Sequence, residues 1–448
     1  MSSLSVRSGT PLRGRVRVPG DKSISHRALL LGAIAEGESR VSGFLPAADC
    51  LATLRCLRGL GVKIETPSPI PSPYAGEGSQ GVTLIVHGRG LHGLHPPQGP
   101  LDCGGSGTTM RLLSGILAGQ PFRSVLTGNA QLSRRPMARV AIPLRQMGAR
   151  VTDTDGHAPL LIEGGHLRGI DYTLPVASAQ VKSAILLAGL YADGPTTVRE
   201  PVPTRDHTER MLQAMGGGLR IADCGLRIEP GERLQALDIV VPGDFSSAAF
   251  LIVAATLVPG SEVTIAGVGV NPTRTGALEV LKAMGAHIEV KNEGDCGGEP
   301  VADLRVRAGE LSAMEIGGAI IPRLIDELPL LALVATQARG MTVIRDAAEL
   351  RVKETDRIAT TVAELRKLGA QIEARPDGFV VRGPTPLRGA EVDSHGDHRL
   401  AMTLAVAGLL AEEETRVHDV ECIADSFPGF VETLRRLGGK LKTQNRAC

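Results

Sequence analysis

The chain has 448 residues, of which 42% are hydrophobic and 22% charged, enough for two domains of roughly 200 residues each. Its net charge is +1 and it contains no Trp, 3 Tyr and 7 Phe, so it has neither a basic field nor stacking platforms for nucleic acid. Its apolar runs are too short to cross a bilayer. The seven cysteines contain no CxxC pair, which argues against zinc and a disulfide framework. We predict a cytoplasmic protein without nucleic-acid or membrane partners.

An internal repeat organises the chain. In each copy an amphipathic stretch ends in a hydrophobic residue and a glycine, and a short strand follows. The six glycines are Gly61, Gly148, Gly216, Gly285, Gly369 and Gly438. The pattern predicts helices that end in a left-handed glycine. Corresponding glycines of the two halves lie between 221 and 224 residues apart, so the chain reads as two domains of three similar units.

Each unit also contains an apolar, Ala- and Leu-rich stretch that predicts a buried helix. These stretches are His26–Glu36, Met110–Ala118, Gln180–Ala192, Ser246–Leu257, Ile325–Ala338 and Arg399–Ala411. A unit therefore reads strand–helix–strand–helix–strand–strand, with parallel strands within it. The segment Val16–Asp21 resembles Ile239–Asp244, so the chain restarts near residue 240. Thr66–Gly81, rich in Pro, Ser and Gly, is predicted to be an exposed loop.

Eight polar motifs occur, most of them at the start of a predicted helix. They are Pro19–Arg27, Asp102–Arg111, Arg134–Arg139, Ala177–Lys182, Thr204–Glu209, Leu324–Leu331, Arg351–Arg357 and Gly396–Met402. Singly, each is more often a helix cap or a solvated face than a site. If the helices of a domain run side by side, however, their positive ends gather on one face. Two such faces opposed would form a cleft for small molecules that bear phosphates or carboxylates.

Two of these motifs leave alternatives open. Asp326 and Glu327 lie within an apolar run, where a carboxylate either caps the next helix or transfers a proton. The segment Arg351–Arg357 is predicted to be helical, with Lys353 and Arg357 on one face at i, i+4 and Glu354 beside them. Such a cluster is either a solvated charged face or part of a site.

In this order the motifs resemble the 3-phosphoshikimate 1-carboxyvinyltransferase (5-enolpyruvylshikimate-3-phosphate synthase) family of enolpyruvyl transferases, from about Leu12 to Lys442. The matching motifs are Gly20–Arg27, Arg135-Pro136, Ser178–Lys182, Arg205–Glu209, Asn271–Arg274, Asp326-Glu327, Lys353-Glu354, Arg357 and Asp397–Arg399. The resemblance implies an α/β fold, a two-domain inside-out α/β barrel in which each domain has three βαβαββ units with pseudo-threefold symmetry. It also implies an inserted domain at 19–238, a second domain at 1–18 plus 239–448, and an active site in the cleft between them.

The reaction that the resemblance implies moves the enolpyruvyl group of phosphoenolpyruvate onto the 5-hydroxyl of shikimate 3-phosphate and releases phosphate. This step belongs to the shikimate pathway toward chorismate and the aromatic amino acids. The resemblance calls for no metal or organic cofactor, and we expect a monomer. The catalytic residues it implies are Asp326, Glu354 and Lys22.

The implied substrate contacts fall into two sets. Shikimate 3-phosphate would be bound by Lys22, Ser23, Arg27, Ser178, Ala179, Gln180, Arg205, Asp326 and Lys353. Phosphoenolpyruvate would be bound by Lys22, Gly107, Arg135, Gln180, Arg357 and Arg399. Both guests are multiply charged anions, which is why several Arg and Lys side chains are required.

Two positions depart from the family's usual pattern. The loop before Gly107 reads Gly105-Ser106, and a glycine at 107 leaves room beside the phosphoenolpyruvate site, which favours sensitivity to glyphosate. Asp425 stands where some members carry a Lys, so we assign no phosphate contact there.

Two other functions compete with this interpretation. The related UDP-N-acetylglucosamine enolpyruvyl transferase commonly carries a Cys in a loop that corresponds to Leu112–Arg134, where this chain has none. A non-catalytic anion-binding scaffold would need neither Asp326 nor Glu354.

Overall fold

The structure, a computed structural model, describes residues 2–67, 81–222, 225–231 and 233–445. Most of the predicted loop Thr66–Gly81 lies outside the described residues. In the described ranges, no helix has both the length and the apolar character that crossing a membrane requires.

The first half of the chain alternates strands and helices. In order, its elements are β1 (Ser2–Arg7), β2 (Arg13–Arg17), α1 (Lys22–Ile34), β3 (Glu38–Phe44), α2 (Ala48–Gly59), β4 (Lys63–Glu65), β5 (Val82–His87), β6 (Leu101–Asp102), α3 (Gly107–Ala118), β7 (Arg123–Thr127), α4 (Ala130–Ser133), α5 (Ala138–Gln146), β8 (Arg150–Thr154), β9 (His157–Glu163), β10 (Asp171–Thr173), α6 (Ala179–Gly189), β11 (Thr196–Arg199), α7 (His207–Ala214), β12 (Leu219–Ala222) and β13 (Gly225–Ile228).

The second half repeats the pattern. Its elements are β14 (Ile239–Val240), α8 (Phe245–Leu257), β15 (Glu262–Gly269), α9 (Gly276–Ala283), β16 (His287–Cys296), β17 (Glu299–Arg307), β18 (Glu315–Ile316), α10 (Ile321–Leu324), α11 (Leu328–Gln337), β19 (Gly340–Ile344), α12 (Arg357–Lys367), β20 (Gln371–Arg375), β21 (Gly378–Gly383), β22 (Glu391–Asp393), α13 (His398–Gly408), β23 (Thr415–His418), α14 (Phe430–Arg436) and β24 (Lys440–Asn445). Three 3-10 helices span Gly318–Ile320, Ala348–Val352 and Val420–Asp425.

The described strands form six sheets of four strands, and all six share one pattern of parallel and antiparallel pairing. Their orders are β14-β3-β5-β4, β6-β7-β9-β8, β10-β11-β13-β12, β2-β15-β17-β16, β18-β19-β21-β20 and β22-β23-β1-β24. The first pair in each order is parallel and the next two pairs are antiparallel. This is the predicted βαβαββ unit.

Two strands are exchanged between the halves. Strand β2 precedes α1 in the chain but pairs in parallel with β15. Strand β14 precedes α8 but pairs in parallel with β3, with Ile239 opposite Val41. The two passages of the chain between the halves therefore lie side by side. The domain bounds of 19–238 and 1–18 plus 239–448 stay a prediction.

The buried hydrophobic residues of the described chain form two separate cores. One runs from Ile24 to Val241. The other joins Leu4, Leu12 and Val18 to the residues from Phe245 onward. Helices α1, α3 and α6 pack together in the first core, and α8, α11 and α13 in the second. A helix that is apolar on all faces must be buried on all faces, so these helices lie inside and the sheets outside. The predicted inside-out α/β barrel is confirmed.

The helix ends agree with the repeat in all but one motif. Each of the six repeat glycines has φ between 76° and 108°, as a left-handed C-terminal glycine requires. The prediction of one helix over Arg351–Arg357 is wrong. The 3-10 helix ends at Val352 and α12 begins at Arg357, because the Asp356 carboxylate caps α12 by accepting the Ile358 amide at 3.1 Å. Lys353 and Arg357 therefore belong to different elements.

Candidate active site

A cavity of about 730 Å³ lies between the two cores. It is lined from both sides, by residues of the first lobe (the units built around α1, α3 and α6) and of the second lobe (those built around α8, α11 and α13). All fourteen residues predicted for the site line it: Lys22, Ser23, Arg27, Gly107, Arg135, Ser178, Ala179, Gln180, Arg205, Asp326, Lys353, Glu354, Arg357 and Arg399.

The amino-terminal ends of several helices point toward this cavity. Helix α1 begins at Lys22, α3 at Gly107, α6 at Ala179 and α12 at Arg357, and each of these residues lines it. Caps hold the ends: Ser106, for example, accepts the Thr109 amide at 3.1 Å. Unpaired N–H groups and the helix dipoles make such ends favourable for anions. The arrangement agrees with the predicted gathering of positive ends in one cleft.

Lys22, the first residue of α1, lies on the cavity wall. Its ammonium lies 3.2 Å from the Asp49 carboxylate, and its backbone N–H donates to Asp244 of the second lobe at 3.0 Å. Burial lowers the pKa of Lys22, but the Asp49 and Glu354 carboxylates offset this, so its pKa lies above the ordinary value. Lys22 is therefore a charged group at neutral pH.

Asp326 stands among four cations. Its carboxylate accepts a short hydrogen bond from Arg205 across the cleft. Arg357 Nη1 lies 3.3 Å away and Lys353 Nζ 3.6 Å away, and Arg399 Nη2 lies 3.8 Å away. Burial raises the pKa of Asp326, but these cations hold it well below its usual range. Asp326 is an ionised acceptor in the cavity wall.

Glu354 occupies the other side of Arg357. Its carboxylate accepts from Arg357 Nη2 at 2.6 Å and, across the cleft, from Arg135 Nη1 at 3.2 Å. Burial opposes ionisation of Glu354, but Arg357 and Arg135 keep its pKa well below the usual value. Arg357 is itself fixed by Asp397, which accepts from its Nε at 2.7 Å. One guanidinium thus separates two carboxylates.

Gly107 lies beneath two guanidinium groups of the first lobe. A Cβ on residue 107 would lie 3.0 Å from Arg111 Nη1 and 3.1 Å from Arg135 Nη1. Arg111 donates to the Gln180 side chain at 2.5 Å and to the Pro136 carbonyl at 3.1 Å. Burial, with Arg135 nearby, lowers the pKa of Arg111 to about 9. The absent side chain keeps this cationic corner open.

A buried ion cluster supports Arg399. Its Nη1 lies 3.3 Å from both the Asp326 carbonyl and Glu327 Oε1. Glu327 is 1% exposed and also pairs with the buried Arg274 at 3.3 Å. Of the two roles left open for Glu327, the structure favours neither: its side chain does not cap α11 and instead holds the two arginines.

Sequence reasoning assigned no role to several residues of the cavity wall. Arg111 and Arg139 lie in the motifs Asp102–Arg111 and Arg134–Arg139 and line the cavity. Their positive charge within these motifs was the signal that could have identified them as site residues. Asp49 lies in the first turn of α2, in a stretch without a motif. His398 also lines the cavity; burial and the nearby Lys22 lower its pKa to about 3, so its imidazole is neutral.

Two inside-out lobes that enclose ionised carboxylates among many cations define a class of two-lobed transferases that act on small, multiply charged anions. Comparison with known proteins makes this class specific. The family model described as EPSP synthase (3-phosphoshikimate 1-carboxyvinyltransferase) matches residues 6–434. The chain belongs to this family, and it is a transferase that moves the enolpyruvyl group of phosphoenolpyruvate to shikimate 3-phosphate.

Individual relatives agree along the whole length. The 3-phosphoshikimate 1-carboxyvinyltransferase of Citrifermentans bemidjiense is 54% identical over 436 residues, which are 97% of this chain and 99% of that protein. That of Geobacillus kaustophilus is 54% identical over 430 residues, 95% and 98% of the two chains. The solved EPSP synthase of Acinetobacter baumannii has a TM-score of 0.87 and 45% identity, and the match covers 99% of this chain and 100% of that one. The enolpyruvyl transferase NikO of Streptomyces tendae, at 19% identity and TM-score 0.78 over 99% of each chain, shares the fold.

Proposed function

We propose that the cavity performs this reaction with Asp326 as the acceptor of the 5-hydroxyl proton and Glu354 as the acid that protonates the methylene carbon. Lys22 assists at the methylene side. The observation that carries the proposal is the position of the two carboxylates on either side of Arg357, at 3.3 Å and 2.6 Å. Addition across the double bond needs a base and an acid on opposite sides of one reacting centre.

The cations divide between the two substrates. We assign the phosphoenolpyruvate anion to Lys22, Arg135, Arg357 and Arg399, beside Gly107 at the start of α3 and Gln180. Arg135 and Arg357 both contact Glu354, so a carboxylate of the protein pairs with guanidinium groups that suit a phosphate or carboxylate of the substrate.

Shikimate 3-phosphate is assigned to the other end of the cavity. Its phosphate and hydroxyls would meet Lys22, Ser23, Arg27, Ser178, Ala179, Gln180, Arg205, Asp326 and Lys353. Arg205 now donates to Asp326, and a bound phosphate would compete for this guanidinium. Asp326 would then be free to accept the hydrogen of the 5-hydroxyl.

The charge of the bound substrates would also set the protonation states of Asp326 and Glu354. Both carboxylates have a depressed pKa because cations surround them, which suits a base but opposes the role of Glu354 as an acid. Anionic substrates neutralise Arg135 and Arg357, and this raises the pKa of Glu354. Glu354 then takes up a proton and delivers it to the methylene carbon as the 5-oxygen bonds to the central carbon of phosphoenolpyruvate. In the elimination step the C–O bond to phosphate breaks, the new methyl group returns a proton to the ionised Glu354, and the double bond forms again.

The assignment of Asp326 is tested by Asp326→Asn, which keeps the shape but removes the acceptor charge. We expect phosphate release from shikimate 3-phosphate plus phosphoenolpyruvate to slow about a thousandfold, the scale of general base catalysis. Asp193→Asn, at an exposed position of the same half of the chain as α6, serves as the matched surface control. Wild-type rates in Asp326→Asn would refute the role. Phosphate release from phosphoenolpyruvate with UDP-N-acetylglucosamine, rather than shikimate 3-phosphate, as the acceptor would refute the substrate.

We propose that the protein acts as a monomer, as the resemblance leads us to expect, and that it works in the cytoplasm, since its cysteines contain no CxxC pair and indicate a reducing compartment.

A further inference from the structure

Lys182 has no place in the proposed chemistry, yet it is one of the most deeply buried charges in the described part of the chain. It lies one turn after Ser178 on α6, and its side chain is 1% exposed. A lysine is almost never fully buried unless it is paired, because desolvating an ammonium is costly. Such a residue calls for an explanation in terms of what it holds.

Three acceptors surround the ammonium. Nζ lies 2.6 Å from Glu209 Oε1 and 2.9 Å from Glu200 Oε2, and it donates to the Thr204 carbonyl at 3.4 Å. These three contacts match the three N–H donors of a lysine. All three acceptors belong to the segment between β11 and the first turn of α7.

That segment carries Arg205. Glu200 Oε1 accepts the Thr204 amide at 3.2 Å and also a short hydrogen bond from the Thr204 hydroxyl. Lys182 therefore contacts Thr204 in two ways: it donates to the Thr204 carbonyl directly, and it pairs with Glu200, which accepts from the Thr204 amide. Because Thr204 directly precedes Arg205, these contacts set where the Arg205 backbone lies and how its guanidinium reaches Asp326.

A second connection leads to Arg27. Ser183, next to Lys182, accepts from Arg27 Nη2 at 2.9 Å, and its hydroxyl lies 2.7 Å from that of Thr208. Thr208 accepts from Arg27 Nε at 2.6 Å and is the neighbour of Glu209. Lys182 thus ties α6 to the start of α7 at the point where both contact Arg27.

We propose that Lys182 is a positioning residue for the shikimate 3-phosphate end of the cavity: it aligns Arg205, Arg27 and the start of α6 without touching substrate. The inference rests on the proposed function, since it uses the assignment of those groups to shikimate 3-phosphate. The acceptors of its ammonium are Glu200, Thr204 and Glu209, and none of these is assigned to phosphoenolpyruvate. Gln180 on α6 is assigned to both substrates, so the role falls mainly, rather than solely, on shikimate 3-phosphate.

The experiment compares the two substrates in Lys182→Met, which keeps the side-chain length but removes the charge. We expect the Kd of shikimate 3-phosphate in the binary complex to rise about tenfold, the effect of one lost charged interaction near the phosphate. The KM of phosphoenolpyruvate, measured at saturating shikimate 3-phosphate, should change by less than about twofold. A purely structural role would lower the melting temperature and the active fraction without separating the substrates.

Two further variants keep the test decisive if Lys182→Met does not fold. In Lys182→Met/Glu209→Gln the second substitution removes the buried carboxylate that would lose its partner. Burial already raises the pKa of Glu209, so an unpaired charge at this position would be costly. Thr204→Val removes only the hydroxyl bond to Glu200 and leaves the charges unchanged. Both should weaken shikimate 3-phosphate selectively, Thr204→Val by the smaller factor.

Lys291→Met is the control, because Lys291 pairs with Glu289 at a half-exposed position of β16; it should bind both substrates normally. An unchanged Kd for shikimate 3-phosphate in the folded variants, or an equal loss for both substrates, would overturn the inference. Failure of the proposed function is a different result, the absence of phosphate release by the wild-type protein.

Discussion

At the scale of single residues, the cavity pairs each site carboxylate with the cations that anionic substrates need. Asp326 contacts Arg205, and Glu354 contacts Arg135, in each case across the cleft. These pairs satisfy buried charges that would otherwise be costly. In the proposed mechanism a phosphate or carboxylate of the substrate takes the place of the protein's own carboxylate at the same guanidinium groups.

Gly107 provides a sharp test at this scale. In Gly107→Ala the new Cβ would lie 3.0 Å from Arg111 Nη1 and 3.1 Å from Arg135 Nη1, closer than an ordinary van der Waals contact, so both guanidinium groups must shift slightly. We expect the KM of phosphoenolpyruvate to rise on the order of tenfold while the Kd of shikimate 3-phosphate is retained. Steady-state kinetics with each substrate varied in turn gives both values.

Glyphosate extends the same test. We expect glyphosate to inhibit the wild-type protein in competition with phosphoenolpyruvate, and Gly107→Ala to be less inhibited. Gly105→Ala is the control, since the atoms nearest its Cβ belong to Asn129, Gln131 and Asp49 rather than to a guanidinium group, the closest being Asn129 Nδ2 at 3.3 Å. Unimpaired wild-type turnover at glyphosate concentrations far above the KM of phosphoenolpyruvate would contradict the expectation.

At the scale of elements, the repeat is visible in the glycine that ends the second helix of each unit. A left-handed glycine stops the helix and turns the chain directly into the next strand. This signal is local, and it was readable in all six copies. The start of a helix was harder to read, as the segment Arg351–Arg357 illustrates. The i, i+4 spacing of Lys353 and Arg357 suggested a continuous helix, but the Asp356 cap starts α12 only at Arg357.

Gly216 isolates the cost of such a turn. Its φ is 76°, and no described heavy atom lies within 4 Å of a Cβ built there, so a side chain meets backbone strain but no clash. Gly216→Ala should lower the free energy of unfolding by about 1 kcal/mol, and Gly216→Asn by less, because asparagine tolerates this conformation better. Chemical denaturation measures both, and equal stability of wild type and Gly216→Ala would contradict the assignment.

At the scale of the whole molecule, the lobes meet through polar contacts. Arg139 pairs with Glu349 at 2.7 Å on the cavity wall. Away from it, the Asn271 amide donates to Asp206 at 2.7 Å, and His207 Nδ1 lies 2.7 Å from Glu299. The two hydrophobic cores remain separate. A change in the angle between the lobes would therefore expose little apolar surface, which is compatible with opening for substrate entry.

Asp425 connects this interface to pH. It ends the 3-10 helix that packs on α2, the helix of Asp49. Burial, with the Asp49 and Glu354 charges, raises the pKa of Asp425 to about 7, although Lys22 acts in the opposite direction. A carboxyl whose pKa is higher in the folded state holds its proton there after the unfolded chain has lost it. Its contribution to stability is complete below about pH 4 and is lost as pH rises through about 7.

Asp425→Asn removes this dependence. We expect the melting temperature of Asp425→Asn, relative to wild type, to increase between about pH 4 and pH 7 and to stay level above that range. Thermal unfolding at matched ionic strength across this range measures the difference. A difference that does not vary with pH would mean that Asp425 has an ordinary pKa.

The amino-acid sequence by itself determined the six units, the glycine that ends a helix in each, the inside-out barrel and all fourteen residues predicted to line the cavity. The units and their glycines follow from spacing and composition within a few residues, whereas the barrel and the fourteen residues were implied by the resemblance of the ordered motifs to a known family. Only the tertiary structure decided the pairing of β14 with β3, the pairing of Lys22 with Asp49, the contacts of Lys182 and the surroundings of Asp425. The reason is physical: local preference acts over about one helical turn, whereas the partner of a buried charge is set by how elements distant in the chain pack.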